Sequence, residues 1–216
     1  MIDVTLIDSM GSDLTVVNAA RVSFNKKSEW DEDNTLTVSD SILISYLARH
    51  KHMSPFGHCF ATFHVKAPVF VARQLVKHKF LRWNEVSRRY VDHEPEFYEP
   101  TKWRKRSKDK KQGSAGEVKL SYKAISTLAK NAVWYRKAYK KLIEDGIAPE
   151  QARMTLPLSL MTEWYWSGSL DAWSDMCRLR QSEDTQEETR LVANSISMDM
   201  GTLFPDSWIA LQAYSR

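Results

Sequence analysis

The stretch Cys59-Phe60-Ala61-Thr62-Phe63-His64-Val65-Lys66-Ala67-Pro68-Val69-Phe70-Val71-Ala72-Arg73-Gln74 decides how the chain folds. Cys59, Ala61, Phe63 and Val65 recur at every second position, so they share one face of a strand running to Lys66. Pro68 then suits the first turn of a helix, where the N–H it lacks would have no intrahelical partner. Val69, Val76 and Phe80 lie along one side of that helix if it continues to Leu81. On it Gln74, Lys77 and His78 become neighbours, because residues three and four apart meet on a helix surface. Residues 84–90 turn out of the helix.

Working outward, residues 2–7 read as a short strand and Leu14 to Phe24 as a helix. Asn25 to Asn34 is a polar loop. Thr37 to His50 is a helix, capped by Thr37 or Ser39, and Pro55 forbids its continuation. On the other side, Thr101 to Glu117 is a basic surface loop rich in Lys, Ser and Gly. Leu120 to Asp145 is a long helix stopped by Gly146. Pro149 to Met154 is a short helix, and Leu160 to Trp166 alternates as a strand. Ser169 caps a helix reaching about Arg180. Thr185 to Met200 is another helix, ended near Gly201, and a last one starts at Pro205. Strands scattered among more numerous helices indicate an α+β fold, with helices packed around a small mixed or antiparallel sheet in one domain over residues 1–216. Neither a G-x-G-x-x-G nor a P-loop pattern occurs, which excludes a Rossmann-type nucleotide site.

With 43% apolar residues, a real core can be buried. No apolar run approaches the roughly 20 residues of a membrane span. The N-terminus lacks the basic flank and apolar stretch of a secretory signal, so a cytoplasmic location is expected. Cys59 and Cys177 form no C-x-x-C pair and read as two buried thiols, and no metal motif is present. The net charge of +4 is local. Lys102 to Lys111 carries +6 by itself, and the remaining residues sum to −2. That run reads as a solvated loop that could steer anionic substrates. A nucleic-acid-binding role for it is the rival reading.

The densest group of reactive side chains is Arg73-Gln74-Leu75-Val76-Lys77-His78-Lys79-Phe80-Leu81-Arg82-Trp83-Asn84-Glu85-Val86-Ser87-Arg88-Arg89-Tyr90. Six of these eighteen residues are Arg or Lys, which suits a small, highly anionic ligand. Ser87 and backbone N–H groups could complete a phosphate nest. A solvated basic helix face fits the same charges.

Lys77-His78-Lys79, seven residues, then Ser87 resembles the R-H-R-x7-S signature of flavin-dependent thymidylate synthases. Further blocks stand in the same order: Arg21-Val22-Ser23-Phe24, His52-x-Ser54-Pro55-Phe56-x-His58, Phe63-His64-Val65-Lys66-Ala67-Pro68, Asn84-Glu85, Arg89-Tyr90, Ala152-Arg153-x-x-Leu156-Pro157-Leu158 and Leu179-Arg180. The resemblance implies reductive methylation of dUMP to dTMP, with 5,10-methylenetetrahydrofolate as carbon donor, FAD as hydride carrier and NADPH as reductant. It implies a homotetramer of that family's fold, with no membrane or nucleic-acid partner. Gln74, Lys77, Glu85, Ser87, Arg88, Arg89 and Arg153 would bind the nucleotide. Arg180 would sit against the uracil and promote ionisation at N3, with His52 near the flavin and folate rings. Ser54, Lys77, His78, Lys79 and Glu85 would touch FAD, together with Ser169 and Asp175. The sequence departs from the family at Lys77 and Lys79, where Arg is usual. It also departs at Gly57, at Ser169-Leu170-Asp171 in place of Asn-x-Arg, and at Asp175 in place of Asn. His58 and His64 read as structural hydrogen-bonders. Trp134, Tyr135, Tyr139, Trp164, Tyr165, Trp166 and Trp173 read as core or interface.

Overall fold

The alternation that opens the sequence reading is realised: Cys59, Ala61, Phe63, Val65 and Ala67 are each 1% exposed or less. The computed structural model describes residues 1–108 and 113–214. In chain order the elements are β1 (Asp3–Met10), α1 (Asp13–Arg21), α2 (Val38–Arg49), β2 (Phe60–Pro68), α3 (Val69–Leu75), β3 (Arg82–Glu85), β4 (Arg104–Arg106), β5 (Ser114–Glu117), α4 (Tyr122–Glu144), α5 (Pro149–Ala152), β6 (Met161–Ser169), α6 (Leu170–Arg180), α7 (Glu187–Leu203) and α8 (Pro205–Tyr214). Short 3-10 turns occupy Val22–Phe24, Ser54–His58 and Arg153–Thr155.

The main sheet has the order β1-β2-β6-β3, and every pairing in it is antiparallel. Helices cover one face. Trp164 and Trp166 of β6 point into that core, and Trp173 of α6 meets Trp166 edge-on at 5.0 Å and Phe63 at 5.1 Å. Such offset aromatic pairs contribute beyond the area they bury. The Trp173 indole N–H donates to the Ala61 carbonyl at 3.2 Å, which ties α6 to the sheet. Among the described residues no helix is long and apolar enough to cross a membrane.

Local chemistry sets most element ends. The Thr37 hydroxyl accepts from the Asp40 N–H, and the Ser121 hydroxyl accepts from the Ala124 N–H. Gly146, at φ +82°, follows α4 in a left-handed conformation that costs glycine little. Lys51, at φ +60°, closes α2 in the same way. The Lys51 N–H reaches the Ala48 carbonyl and the His52 N–H reaches the Leu47 carbonyl, which fixes where His52 sits.

Three expectations are corrected. The helix expected to run from Val69 to Leu81 ends at Leu75, and Arg82–Glu85 forms edge strand β3 on β6. Stacking of Trp83 on Trp164, at 4.3 Å between centroids, and the ladder to residues 79 to 85 positions away outweigh local helix propensity. The expected loop Thr101 to Glu117 contains the β4–β5 hairpin; residues 109–112 of it lie outside the described residues. Helix α7 runs through Gly201 to Leu203, because Gly201 does not adopt a positive φ and so does not terminate it.

Candidate functional site

Arg180 ends α6 at the point where the chain leaving α3 turns back toward the sheet. Its Nε–H donates to Nε2 of His78 at 2.9 Å, and Nη2 donates to the Gln74 carbonyl at 2.9 Å. A guanidinium held at two corners is preorganised, and both Nη1 hydrogens remain without a partner among the described residues. Burial lowers the Arg180 pKa from its ordinary value, yet arginine stays cationic at neutral pH. Burial, and then the Arg180 charge, push His78 down to about 4. His78 is therefore neutral at pH 7, with a lone pair on Nε2 for Arg180 and its proton on Nδ1.

Gln74, in the last turn of α3, is held from the other side. Its Nε2 donates to Oε1 of Gln186 at 2.7 Å, and its Oε1 accepts from the Thr189 hydroxyl at 3.1 Å. Both partners belong to the start of α7. Gln74, His78 and Arg180 thus form one bonded unit, although the helix spacing expected to unite Gln74, Lys77 and His78 is interrupted. Lys77 and Lys79 flank His78 on the turn, both exposed and without a side-chain partner among the described residues. Gly168 of β6 lets this turn lie directly on the sheet, since a Cβ there would collide with Leu81.

Strand β3 carries Glu85 on the same face as Trp83. The Thr162 hydroxyl donates to Glu85 Oε1 at 2.8 Å, and the Trp83 indole N–H donates to Oε2 at 3.2 Å. Both carboxylate oxygens are oriented, while the residue stays exposed. Beyond it, Ser87 Oγ accepts from Arg89 Nε at 3.0 Å, in the hydroxyl-and-guanidinium arrangement that an anion would enter. Arg88 faces the other way. It is buried, donates to the His93 carbonyl at 2.5 Å and lies over the Tyr139 ring of α4 at 5.7 Å. Its side chain braces the loop on α4.

The remaining expected residues make no hydrogen bond to this unit among the described residues, although the Asp175 carboxylate lies near enough to His78 to act on its charge. His52 is exposed, its ring 6.0 Å from that of Tyr46. Ser54 is exposed at the start of its 3-10 turn. Ser169 is the N-cap of α6, but its hydroxyl donates to the Asp171 carboxylate and accepts no hydrogen bond from the helix backbone. Asp175 is exposed and lies 3.4 Å from Arg178. Arg153 is exposed, with Nε on the Glu150 carbonyl at 3.2 Å, and no hydrogen bond among the described residues joins it to residues 74–90. Cys59 and Cys177 are buried, and burial raises both thiols, Cys59 to about 11. Neither has nucleophilic character at neutral pH.

This geometry can be set beside known proteins. Residues 5–206 match the family described as thymidylate synthase complementing protein. A flavin-dependent thymidylate synthase of Thermus thermophilus is 42% identical over 212 residues, covering 98% of this chain and 76% of that protein. The chain belongs to the flavin-dependent thymidylate synthase family. Another member, from Treponema denticola, is 42% identical over 193 residues, 87% of this chain and 70% of that one. Among solved structures, a UMP/dUMP methylase PolB from Streptomyces cacaoi bound with 5-Br dUMP superimposes with a TM-score of 0.85. It is 31% identical, with 99% of this chain and 96% of that chain covered.

Within this chain, the residues that sequence reasoning missed are the ones that hold the candidate site residues. Trp83 and Thr162 orient Glu85, while Gln186 and Thr189 hold Gln74. Thr162 sits inside the alternating strand pattern and looks like any other strand residue. Gln186 and Thr189 had no local signal at all.

Proposed function

We propose that this chain makes dTMP from dUMP by reductive methylation, with 5,10-methylenetetrahydrofolate as carbon donor, FAD as hydride carrier and NADPH as reductant. One observation carries the reading: Arg180 is held by His78 and Gln74 with its Nη1 edge uncommitted, beside a turn of exposed cations. The family relationship supports it.

Neutral uracil is a poor nucleophile. A fixed guanidinium beside N3 stabilises the anion formed when that proton leaves, without reorganising during the reaction. Arg180 acts as a fixed charge and not as a base, since it stays protonated. His78 keeps Arg180 oriented by accepting from Nε. Ser87 and Arg89 take the nucleotide phosphate, and the oriented Glu85 carboxylate accepts from its polar N–H or O–H groups. Arg88 contributes by bracing the loop.

The residues present fit a flavin dinucleotide. Lys77 and Lys79, without a side-chain partner among the described residues, are point charges suited to a pyrophosphate, though they lack the bidentate fork of Arg. Ser54, His78, Glu85, Ser169 and Asp175 would complete the set, and the exposed His52 imidazole would face the rings. When bound, FAD supplies the hydride chemistry and the folate supplies the carbon unit. Arg153 joins this site only in a homotetramer whose sites are shared between subunits.

The purified protein should show flavin absorbance bands that shift on titration with dUMP, and should form dTMP when folate donor and NADPH are added. Protein that takes up no flavin and makes no dTMP would overturn the reading. Light scattering should give a tetramer; an active monomer would remove Arg153 from the site. Similarity to a UMP/dUMP methylase makes UMP the natural competing substrate in the same assay.

A further inference from the structure

Of the seven basic residues between Lys102 and Lys111, Arg104 is placed unlike an ordinary surface cation. Its Nη1 donates to Glu187 at 3.0 Å, its Nη2 to both oxygens of Glu188 at 2.8 and 2.7 Å, and its Nε to the Ser114 hydroxyl at 2.9 Å. Glu188 is buried, so this is a desolvated ion pair and not a surface one. The two carboxylates lie in the first turn of α7, between Gln186 and Thr189, the residues that grip the Gln74 side chain. The Gln74 carbonyl in turn holds Arg180. A continuous bonded path therefore runs from the β4–β5 hairpin, through the start of α7 and Gln74, to the guanidinium of the site.

We infer that Arg104 is a positioning residue for the reaction: it fixes the first turn of α7, and through Gln74 it sets the place of Arg180. This rests on the role given to Arg180 under the proposed function. The hairpin is thus part of the wall behind the site, and its other cations are not needed for this. A displacement of about 1 Å at a charge-stabilising group is enough to slow turnover by one to two orders of magnitude.

Arg104→Ala would leave the buried Glu188 carboxylate without its cation, with the Tyr98 hydroxyl still beside it, and would endanger the fold itself. The test therefore uses Arg104→Lys, which keeps the charge and loses the planar fork. It is measured alone and in an Arg180→Lys background, with kcat and KM for dUMP and with bound flavin read from absorbance. The expected result is a kcat about tenfold lower for Arg104→Lys alone, with flavin content retained and KM changed less than kcat. In the Arg180→Lys background the same change should lower kcat by less than about twofold, because residues acting through one another are non-additive. Equal losses in the two backgrounds, or no loss in either, would overturn the inference while leaving the Arg180 role standing. Arg180→Lys with undiminished turnover would instead remove the Arg180 role, and this inference with it. Should Arg104→Lys fail to accumulate as folded protein, Glu187→Gln trims only the more exposed carboxylate. It should show the same non-additivity at about threefold.

Discussion

The turn at residues 77–79 and the end of α6 both offer positive charge to the same region, and they do so in opposite ways. Lys77 and Lys79 are exposed and unpartnered among the described residues. Arg180 is half-buried and fixed by a ring nitrogen and a carbonyl. Mobile lysines attract an anion from a distance and adapt to it, and salt screens them. A fixed guanidinium can favour one charge distribution over another, which catalysis needs and attraction does not. The two kinds of cation should therefore fail differently when removed.

The largest effect should come from the fixed one. Arg180→Ala should lower turnover by about 10²- to 10³-fold, the size seen when one preorganised donor to a developing anion is lost. Flavin absorbance should persist. Unchanged kcat would erase the contrast between the two groups of cations.

Next comes the platform that aims the site's carboxylate. Trp83→Ala removes the stacking on Trp164 and one of the two donors to Glu85. It should destabilise the fold by about 2 kcal/mol, less than a fully buried Trp→Ala because Trp83 is only partly covered. Urea denaturation followed by Trp fluorescence would measure it, and an unmoved midpoint would mean that β3 is held by its backbone ladder alone.

Acid should sharpen the contrast further. His78 takes up its proton near 6.5 in the unfolded chain and only at about 4 in the fold. Between those values the unfolded chain holds more protons, so stability rises with pH across that window and this contribution is complete above it. His78→Gln keeps an acceptor for Arg180 and removes the titration. The fall in Tm from pH 7 to pH 5 should be smaller in the variant than in the original protein. An identical fall in both would contradict a buried, neutral His78.

The smallest effect should belong to Lys77→Ala. Thermal stability should shift by less than about 0.5 kcal/mol, as for exposed substitutions generally. Flavin or nucleotide affinity should drop a few-fold, and the drop should shrink with added salt. A loss indifferent to salt would place Lys77 with the fixed cations.

How much of this was legible depended on whether the cause was local. The inner face of β2 could be read from Cys59, Ala61, Phe63 and Val65, because strand periodicity is written in adjacent residues. The cap at Thr37 and the stop at Gly146 were equally local. Strand β3 was not legible, since Arg82 to Glu85 become a strand only by pairing with Trp164 to Ser167. The sequence did place Gln74, His78 and Arg180 in one site through family resemblance, and they are bonded together here. It could not show that Gln74 is held by α7, or that Arg88 turns inward onto Tyr139. Arg104 was hidden for a different reason: in a run of seven basic residues, nothing in the sequence marks the one that the fold packs against Glu187 and Glu188.

One consequence follows from the order β1-β2-β6-β3. The two inner strands meet with Phe60 opposite Ser169 and Pro68 opposite Met161, and β3 has nowhere to lie until β6 is in place. Closing so long a segment is entropically slow, and domains dominated by such distant pairings fold in milliseconds to seconds. During synthesis the turn bearing Lys77 to Arg89 has no strand to pair with until β6, which ends at Ser169, has left the ribosome. Ligand capture should therefore be among the final events of maturation, and a chain truncated before β6 should hold neither nucleotide nor flavin.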